Sequence, residues 1–334
     1  MPRLTVIIPA LGSVESLERT LLSVLENRPP EAEVLVVLAA PYDDPYHLAD
    51  EVRFLNAPRG ADLLACVNLG CRESSAPLVH VLGCGLEVCE GWAQLAVRHF
   101  HNPRVAAVTP LVLDAHDHRQ VLCAGLEYLA GGTIRHAARG RAVDELAADM
   151  PSATGPWIQA AFYRKSALVD VCGGFDSALG ETAAEIDLAL RLRHAGLWIV
   201  GEPACRLYLP PRARRTPRGW RNGRAAEQIF WRNLPPSGGT APLVQHAWMV
   251  AGETVGGLLR PSGWLQLAGR LSAMLAWGSY RRHWAELNAL RARGRALVPA
   301  PQKSSTQTRV DRAHPAGHQP APPTAPPSHT RREP

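Results

Sequence analysis

Strand and helix signals alternate along the first 110 residues, and this alternation constrains the fold more than any other feature of the chain. The run Leu4-Thr-Val-Ile-Ile8 is apolar and β-branched, Ser16 to Leu25 carries helical spacing, and Val34 to Leu38 is a second continuous apolar run. The same punctuation predicts a third strand at Val52 to Leu55, a helix from about Asp62 to Cys71, a fourth strand at Leu78 to Leu82 and a helix starting near Gly91-Trp92. Unbroken apolar strands separated by helices belong to sheets covered on both faces, so the expected class is α/β, with a mainly parallel sheet flanked by helices. In open sheets of this kind ligands bind beyond the carboxyl ends of the strands. The segments after Ile8, Leu38, Leu55 and Leu82 are therefore expected to line one crevice.

Further along, Val105 to Val112 reads as a strand and His116-Asp117-His118 as loop, because its spacing fits no standard metal motif. Trp157 to Tyr163 reads as a strand and Ser166 to Val171 as a short helix. Gly173-Gly174-Phe175-Asp176 reads as a turn before a helix from Ala183 to Ala195, which Gly196 terminates. Beyond Arg212 the pattern is helical and amphipathic to about Leu297, and residues 299–334 hold nine prolines among Ser, Thr, His and Arg, a composition expected to be disordered. The chain thus divides into a main domain (1–210), a basic loop with C-terminal helices (211–298) and a tail (299–334).

With 334 residues, 46% of them hydrophobic, the chain can bury a substantial core. Its net charge of +6 is carried by arginine, lysine occurring only at Lys165 and Lys303. Arg212, Arg214, Arg215, Arg218, Arg221 and Arg224 fall within thirteen positions, a density that suits a phosphate or an anionic membrane as well as a solvated loop. Seven cysteines in mostly apolar contexts read as buried thiols in a reducing, cytoplasmic setting, and the pairs Cys66/Cys71 and Cys84/Cys89 as core residues rather than zinc ligands. The first strand begins at once, so no signal peptide is expected, and Ala241 to Leu259 is too polar for a membrane span. No aromatic and basic platform or recognition helix stands out, which argues against nucleic acid as a partner.

Several short motifs occur in a telling order: Thr5-Val-Ile-Ile-Pro9, Leu22-Ser-Val-Leu25, Asn68-Leu-Gly70, Gly91-Trp92, Gly173-Gly-Phe-Asp176 and Glu185-Ile-Asp187-Leu-Ala-Leu-Arg191 through Gly196. Over residues 4 to 209 this series resembles family 2 glycosyltransferases. The resemblance implies a GT-A (nucleotide-diphospho-sugar transferase) fold and transfer of a sugar from a nucleotide diphosphate to an acceptor hydroxyl. The acceptor would be a glycan or a lipid-linked molecule, as in cell-envelope polysaccharide assembly. It also implies a nucleotide and sugar pocket at Pro9, Ala10, Leu38, Arg59, Asn68, Gly83, Gly85 and Glu87, and an acceptor region at Gly174, Phe175 and Asp176. The base that takes the acceptor proton matches Glu185, with Asp187 two residues on. Positions i and i+2 do not share a helix face, so only one of these two carboxylates can point into the crevice.

The chain departs from the family pattern at three places. The Asp-x-Asp-like element that holds manganese or magnesium after the fourth strand is replaced by Gly83-Cys84-Gly85, which offers no hard oxygen ligand. The Asp that meets the base after the second strand is replaced by Leu38-Ala39-Ala40-Pro41, and the histidine near the end of the domain by Leu209. No metal site and no cofactor are therefore expected.

Two readings follow: an inverting, metal-independent transferase in which Arg214 and Arg215 neutralise the leaving diphosphate, or a non-catalytic scaffold that binds a glycan, a partner transferase or a membrane. Six of the nine tryptophans lie after residue 219, interleaved with Arg260, Arg270, Arg281 and Arg282. This pattern suits either helices packed on the main domain or helices touching the inner face of the cell membrane.

Overall fold

Strand β1 (Leu4–Ala10) is buried along its whole length, and its side chains alternate between the two faces of the sheet. Val6 and Ile8 join a core with helix α1 (Val14–Glu26), whereas Ile7 joins a second core with α2 (Leu63–Glu73). The computed structural model describes residues 2–129, 134–146, 153–210, 219–234, 240–257, 259, 261–275 and 277–297. Met1–Pro299 forms one compact unit, and residues 300–334, with the expected tail, lie outside the described residues.

Side-chain caps open the first two helices. Ser13 accepts from the backbone N–H of Ser16 to open α1, and Asp62 accepts from Ala65 to open α2. Strands β2 (Ala32–Leu38), β3 (Arg53–Asn56) and β4 (Leu78–Val81) pair in parallel around β1, giving the order β3-β2-β1-β4. Then follow β5 (Glu87–Val88), α3 (Trp92–Val97), β6 (Val105–Asp114), β7 (Val121–Cys123), and a separate hairpin of β8 (Leu126–Tyr128) and β9 (Ile134–His136). Strand β10 (Phe162–Arg164) runs antiparallel between β4 and β6, and β11 (Trp198–Leu209) lies parallel to β6 with β5 antiparallel on its far side. With β7 on β6, the described residues build a nine-stranded sheet, parallel through β1–β4 and at β6–β11.

The predicted strand from Trp157 is shorter than expected. The N–H of Ile158 goes to a carboxylate of Glu185 instead of a ladder, and Ala160 N–H closes a turn on Trp157 O, so the strand begins only at Phe162. Residues Ser166–Val171 form a π-helical turn, with Cys172 N–H bonded five residues back to Ala167 O. Helix α4 (Glu181–His194) ends as a Schellman motif, Leu197 N–H bonding Leu192 O and Gly196, at φ +78°, bonding Arg193 O.

Four helices close the unit: α5 (Trp220–Asn233), α6 (Ala241–Gly257), α7 (Pro261–Met274) and α8 (Trp277–Leu297). Helices α5 and α7 cross with glycines in contact, a Cβ on Gly223 meeting Gln266 O and one on Gly269 meeting Trp220 O. Glu227 of α5 then collects His246 of α6 at 2.9 Å and Arg270 of α7 at 2.8 Å, and Arg270 also binds Glu253 at 2.8 Å. Arg270, one of the arginines interleaved with tryptophans in the sequence, thus points inward, because two carboxylates satisfy it there. No helix among the described residues is long and apolar enough to cross a membrane. No disulfide links the seven cysteines, and burial pushes the Cys71 thiol up to about 12 and the Cys172 thiol up to about 11, as befits packing residues.

Candidate functional site

The carboxyl ends of β1, β2 and β4 meet. Ala39 N–H bonds Ala10 O, Ala57 N–H bonds Leu38 O, Leu82 N–H bonds Ile7 O, and the Cys84 thiol donates to Pro9 O at 3.4 Å. The expected crevice walls are therefore brought together. Their side chains are apolar: Leu38 is buried in the core and Ala10 nearly so, so both can shape a cavity but offer it no polar group. Arg59 is exposed on the loop after β3, with no ion pair among the described residues. Asp44, the nearest acid after β2 whose carboxylate is engaged, accepts from Leu48 and Ala49 N–H.

Gly83-Cys84-Gly85 turns sharply. Gly85 has φ +92°, and its N–H is shared between Ser16 O and Thr20 Oγ1. Gly83 N–H bonds Gln159 O at 2.8 Å, and a Cβ at Gly83 would stand 2.9 Å from Gln159 Oε1 and 3.0 Å from Gln159 Cβ. The Gln159 side chain thus occupies the space that a longer residue at position 83 would need. Its Nε2 donates to Glu181 Oε1 at 2.6 Å, placing a half-buried carboxylate in front of β4.

Glu181 and Glu185 are one turn apart on α4 and share the face toward residues 155–159. Glu185 is buried, its Oε1 accepting from Ile158 N–H at 2.6 Å. Asp187 points elsewhere: it is fully buried, its Oδ2 bonded by Arg191 Nε at 2.8 Å and its Oδ1 facing Arg232 Nε at 3.3 Å. Asp187 is thus held in an ion pair enclosed by α4, α5 and α8, a position that suits packing. The expectation that the two acids diverge holds.

Asn68 and Glu87 also differ from expectation. Both amide atoms of Asn68 are taken by the backbone of Phe175, its Nδ2 donating to Phe175 O and its Oδ1 accepting from Phe175 N–H, each at 2.8 Å. It holds the turn at Gly174 and Phe175. Glu87 faces Arg19 of α1 at 3.9 Å from a strand paired with Tyr208.

Gly174 sits at φ +87° with its carbonyl on Arg191, Phe175 packs edge-on to Tyr163, and Asp176 accepts from Arg232 at 2.7 Å. Burial pushes the Asp176 carboxyl up, but Arg232 and the Ala178 N–H outweigh it and hold the group below its ordinary value. Arg214 and Arg215 lie outside the described residues.

Sequence reasoning missed Gln159 and Glu181. The four-residue spacing from Glu185 could have found Glu181, whereas nothing in the sequence marks Gln159. A hard divalent cation needs several oxygen ligands, and the end of β4 presents one carboxylate, one amide and a thiol. No group of three or more His, Cys, Asp or Glu able to hold a metal occurs among the described residues. Of the groups at the end of β4 only the Glu181 carboxylate and the Gln159 amide oxygen are hard donors.

Comparison with known proteins adds the class. No protein-family model matches the chain, and no curated protein does. Among solved structures it is similar to GalNAc-T7 with UDP, GalNAc and Mn2+, at 13% identity and TM-score 0.52, over 75% of this chain and 54% of that one. It is also similar to the mannosyltransferase PcManGT from Pyrobaculum calidifontis in complex with GDP-Man and Mn2+, at 18% identity and TM-score 0.50, over 88% of this chain and 86% of that one. The chain thus spans about half the length of GalNAc-T7. What is shared at these identities is the fold. The chain has the fold of GT-A-type glycosyltransferases.

Proposed function

We propose that this chain is a family 2-type transferase that moves a sugar, with inversion, from a nucleotide diphosphate to a hydroxyl of a glycan or lipid-linked acceptor, without a resident divalent cation. The observation that carries this reading is the pairing of Glu181 with Gln159 at the carboxyl end of β4, where ligands of open α/β sheets bind. The acceptor hydroxyl gives its proton to the Glu181 carboxylate as its oxygen bonds the anomeric carbon, and the bond from that carbon to the diphosphate breaks. Glu185, the base expected from the resemblance, holds Ile158 and through it the neighbouring Gln159. Charge on the departing diphosphate falls to arginines, Arg59 and the 212–224 run being the candidates.

A panel of nucleotide sugars assayed in chelator tests this. Glu181→Gln should lower kcat by about 10² to 10⁴ with nucleotide binding retained, while Glu185→Gln should chiefly lower the melting temperature. Turnover strictly dependent on manganese, or full activity of Glu181→Gln, would sink the reading. If Glu185→Gln abolishes turnover in a folded protein and Glu181→Gln does not, the base is Glu185. The non-catalytic scaffold is favoured by one observation, the closure of the usual metal position by Gln159, and it predicts no turnover with any donor.

A further inference from the structure

Helices α6 and α7 show water a surface nearly without charge. In residues 241–259 and 261–275 the only acidic or lysine and arginine side chains are Glu253 and Arg270, and these bind each other. Arg270 is buried, and Glu253, whose side chain is 36% exposed, also accepts from Gln266, so the two charges within these helices neutralise each other, while Arg260 belongs to the connection between them. Outside lie Val244, Trp248, Val255, Trp264, Leu265 and Leu271, with Trp248 75% exposed and Leu275, after the end of α7, 90% exposed. Soluble surfaces rarely present so much contiguous apolar area, and when they do it marks an interaction site.

The shape and rim of this surface select its occupant. Exposed positions of α6, from Leu243 through Val244, Trp248 and Ala251 to Gly256, pass well over half-way round the helix, so the patch is a convex ridge. A fluid hydrocarbon boundary covers a ridge, whereas a protein partner would need a matching groove. The chain's own tail is a poor cover, since residues 299–334 contain one large aliphatic residue, Val310. Beside the middle of α7, where Gly269 meets Trp220 O, the start of α5 presents exposed Trp220 and Arg221, and Arg224 lies over the Trp220 ring at 5.1 Å. Tryptophan and arginine at the edge of an apolar band suit the headgroup level of an anionic bilayer. Helix α6 has 17 residues and spans about 25 Å at 1.5 Å per residue, too short to cross.

We propose that the α6–α7 hairpin lies in the plane of an anionic phospholipid membrane, its uncharged outer face in the acyl boundary and Trp220, Arg221 and Arg224 at the headgroups. This makes the protein monotopic, on a leaflet such as the inner face of a cell membrane, and it does not depend on sugar transfer.

The test uses the full chain with vesicles of phosphatidylcholine alone and of phosphatidylcholine and phosphatidylglycerol in equal parts. The expected result is co-sedimentation with the mixed vesicles and quenching of tryptophan emission by brominated acyl chains. Both should be lost in Val255→Glu/Leu265→Glu with its melting temperature kept. Arg221→Ser should bind about fivefold more weakly. If the double variant fails to fold, quenching of the unaltered chain decides alone. No sedimentation and no quenching overturns the proposal, as does a solution dimer that the same double substitution dissociates, which would assign the face to a second copy.

Discussion

Asn68 and Phe175, 107 residues apart, exchange two hydrogen bonds of 2.8 Å, so one side chain of α2 clamps the turn before α4. The clamp needs Gly174, where a Cβ would stand 2.6 Å from Asn68 Oδ1 at a φ that favours glycine. Asn68→Ala should cost roughly 2 kcal/mol, two net hydrogen bonds of about 1 kcal/mol each, and Asn68→Asp at least as much, because it sets a carboxylate oxygen against Phe175 O. Urea denaturation of the three proteins checks this, and an unchanged midpoint for Asn68→Ala would show that the clamp contributes nothing.

Arg191 supports the same turn from the other side. Its guanidinium donates to Cys172 O, to Gly174 O at 2.9 Å and to Asp187 at 2.8 Å, all of them buried. Arg191→Met should be destabilising by about 3 to 5 kcal/mol, since it strands a buried carboxylate and two carbonyls. Adding Asp187→Asn should recover part of that loss. Strict additivity in this double-mutant cycle would show that the two residues act independently.

The parallel half of the sheet was legible because β1 and β2 are unbroken apolar runs, and two helix ends because Asp62 and Gly196 are local signals. What escaped was long-range partnering. Nothing near Asp187 announces Arg232 and His283, which arrive from 45 and 96 residues further on to enclose it. Arg270 among tryptophans reads as a snorkelling residue until Glu227 and Glu253 are seen to face it. At the candidate site, Gly83-Cys84-Gly85 is plain in the sequence, but the Gln159 side chain that packs against it depends on a turn that a mostly apolar seven-residue stretch disguises as strand.

Gly269 should tolerate no side chain. A Cβ there would collide with Trp220 O and stand 2.9 Å from Arg224 N, and backbone on α5 cannot rotate aside as a side chain could. Gly269→Val should splay α5 from α7 and cost at least about 1 to 3 kcal/mol by overpacking. It should also expose the Glu227 cluster and red-shift the Trp231 emission, because Trp231 Nε1 donates to Glu227. An unshifted spectrum with wild-type stability would contradict the glycine-mediated crossing.

Acid should weaken the fold before the carboxylates titrate. Burial, then the Arg232 charge beside it, pushes the His283 imidazole down to about 4 from 6.5, with Asp187 opposing in part. Its Nδ1 accepts from Arg232 at 3.0 Å, which also requires the neutral ring. His80, stacked on Phe162 at 3.8 Å with Nε2 donating to Ala160 O, is pushed down to about 3 by burial. Between pH 6.5 and 4 the unfolded chain therefore binds protons that the folded chain refuses, so stability falls as pH falls. A depression of that size on His283 alone is worth about 3 kcal/mol by pH 4. Asp176, Glu202 and Glu227 are held below their ordinary values, so their contribution is lost only at lower pH. His283→Gln, whose amide oxygen can still accept from Arg232, should flatten the melting-temperature profile between pH 6.5 and 4 while leaving the steeper limb below it. An unaltered slope in that window would mean that His283 is already protonated in the folded protein.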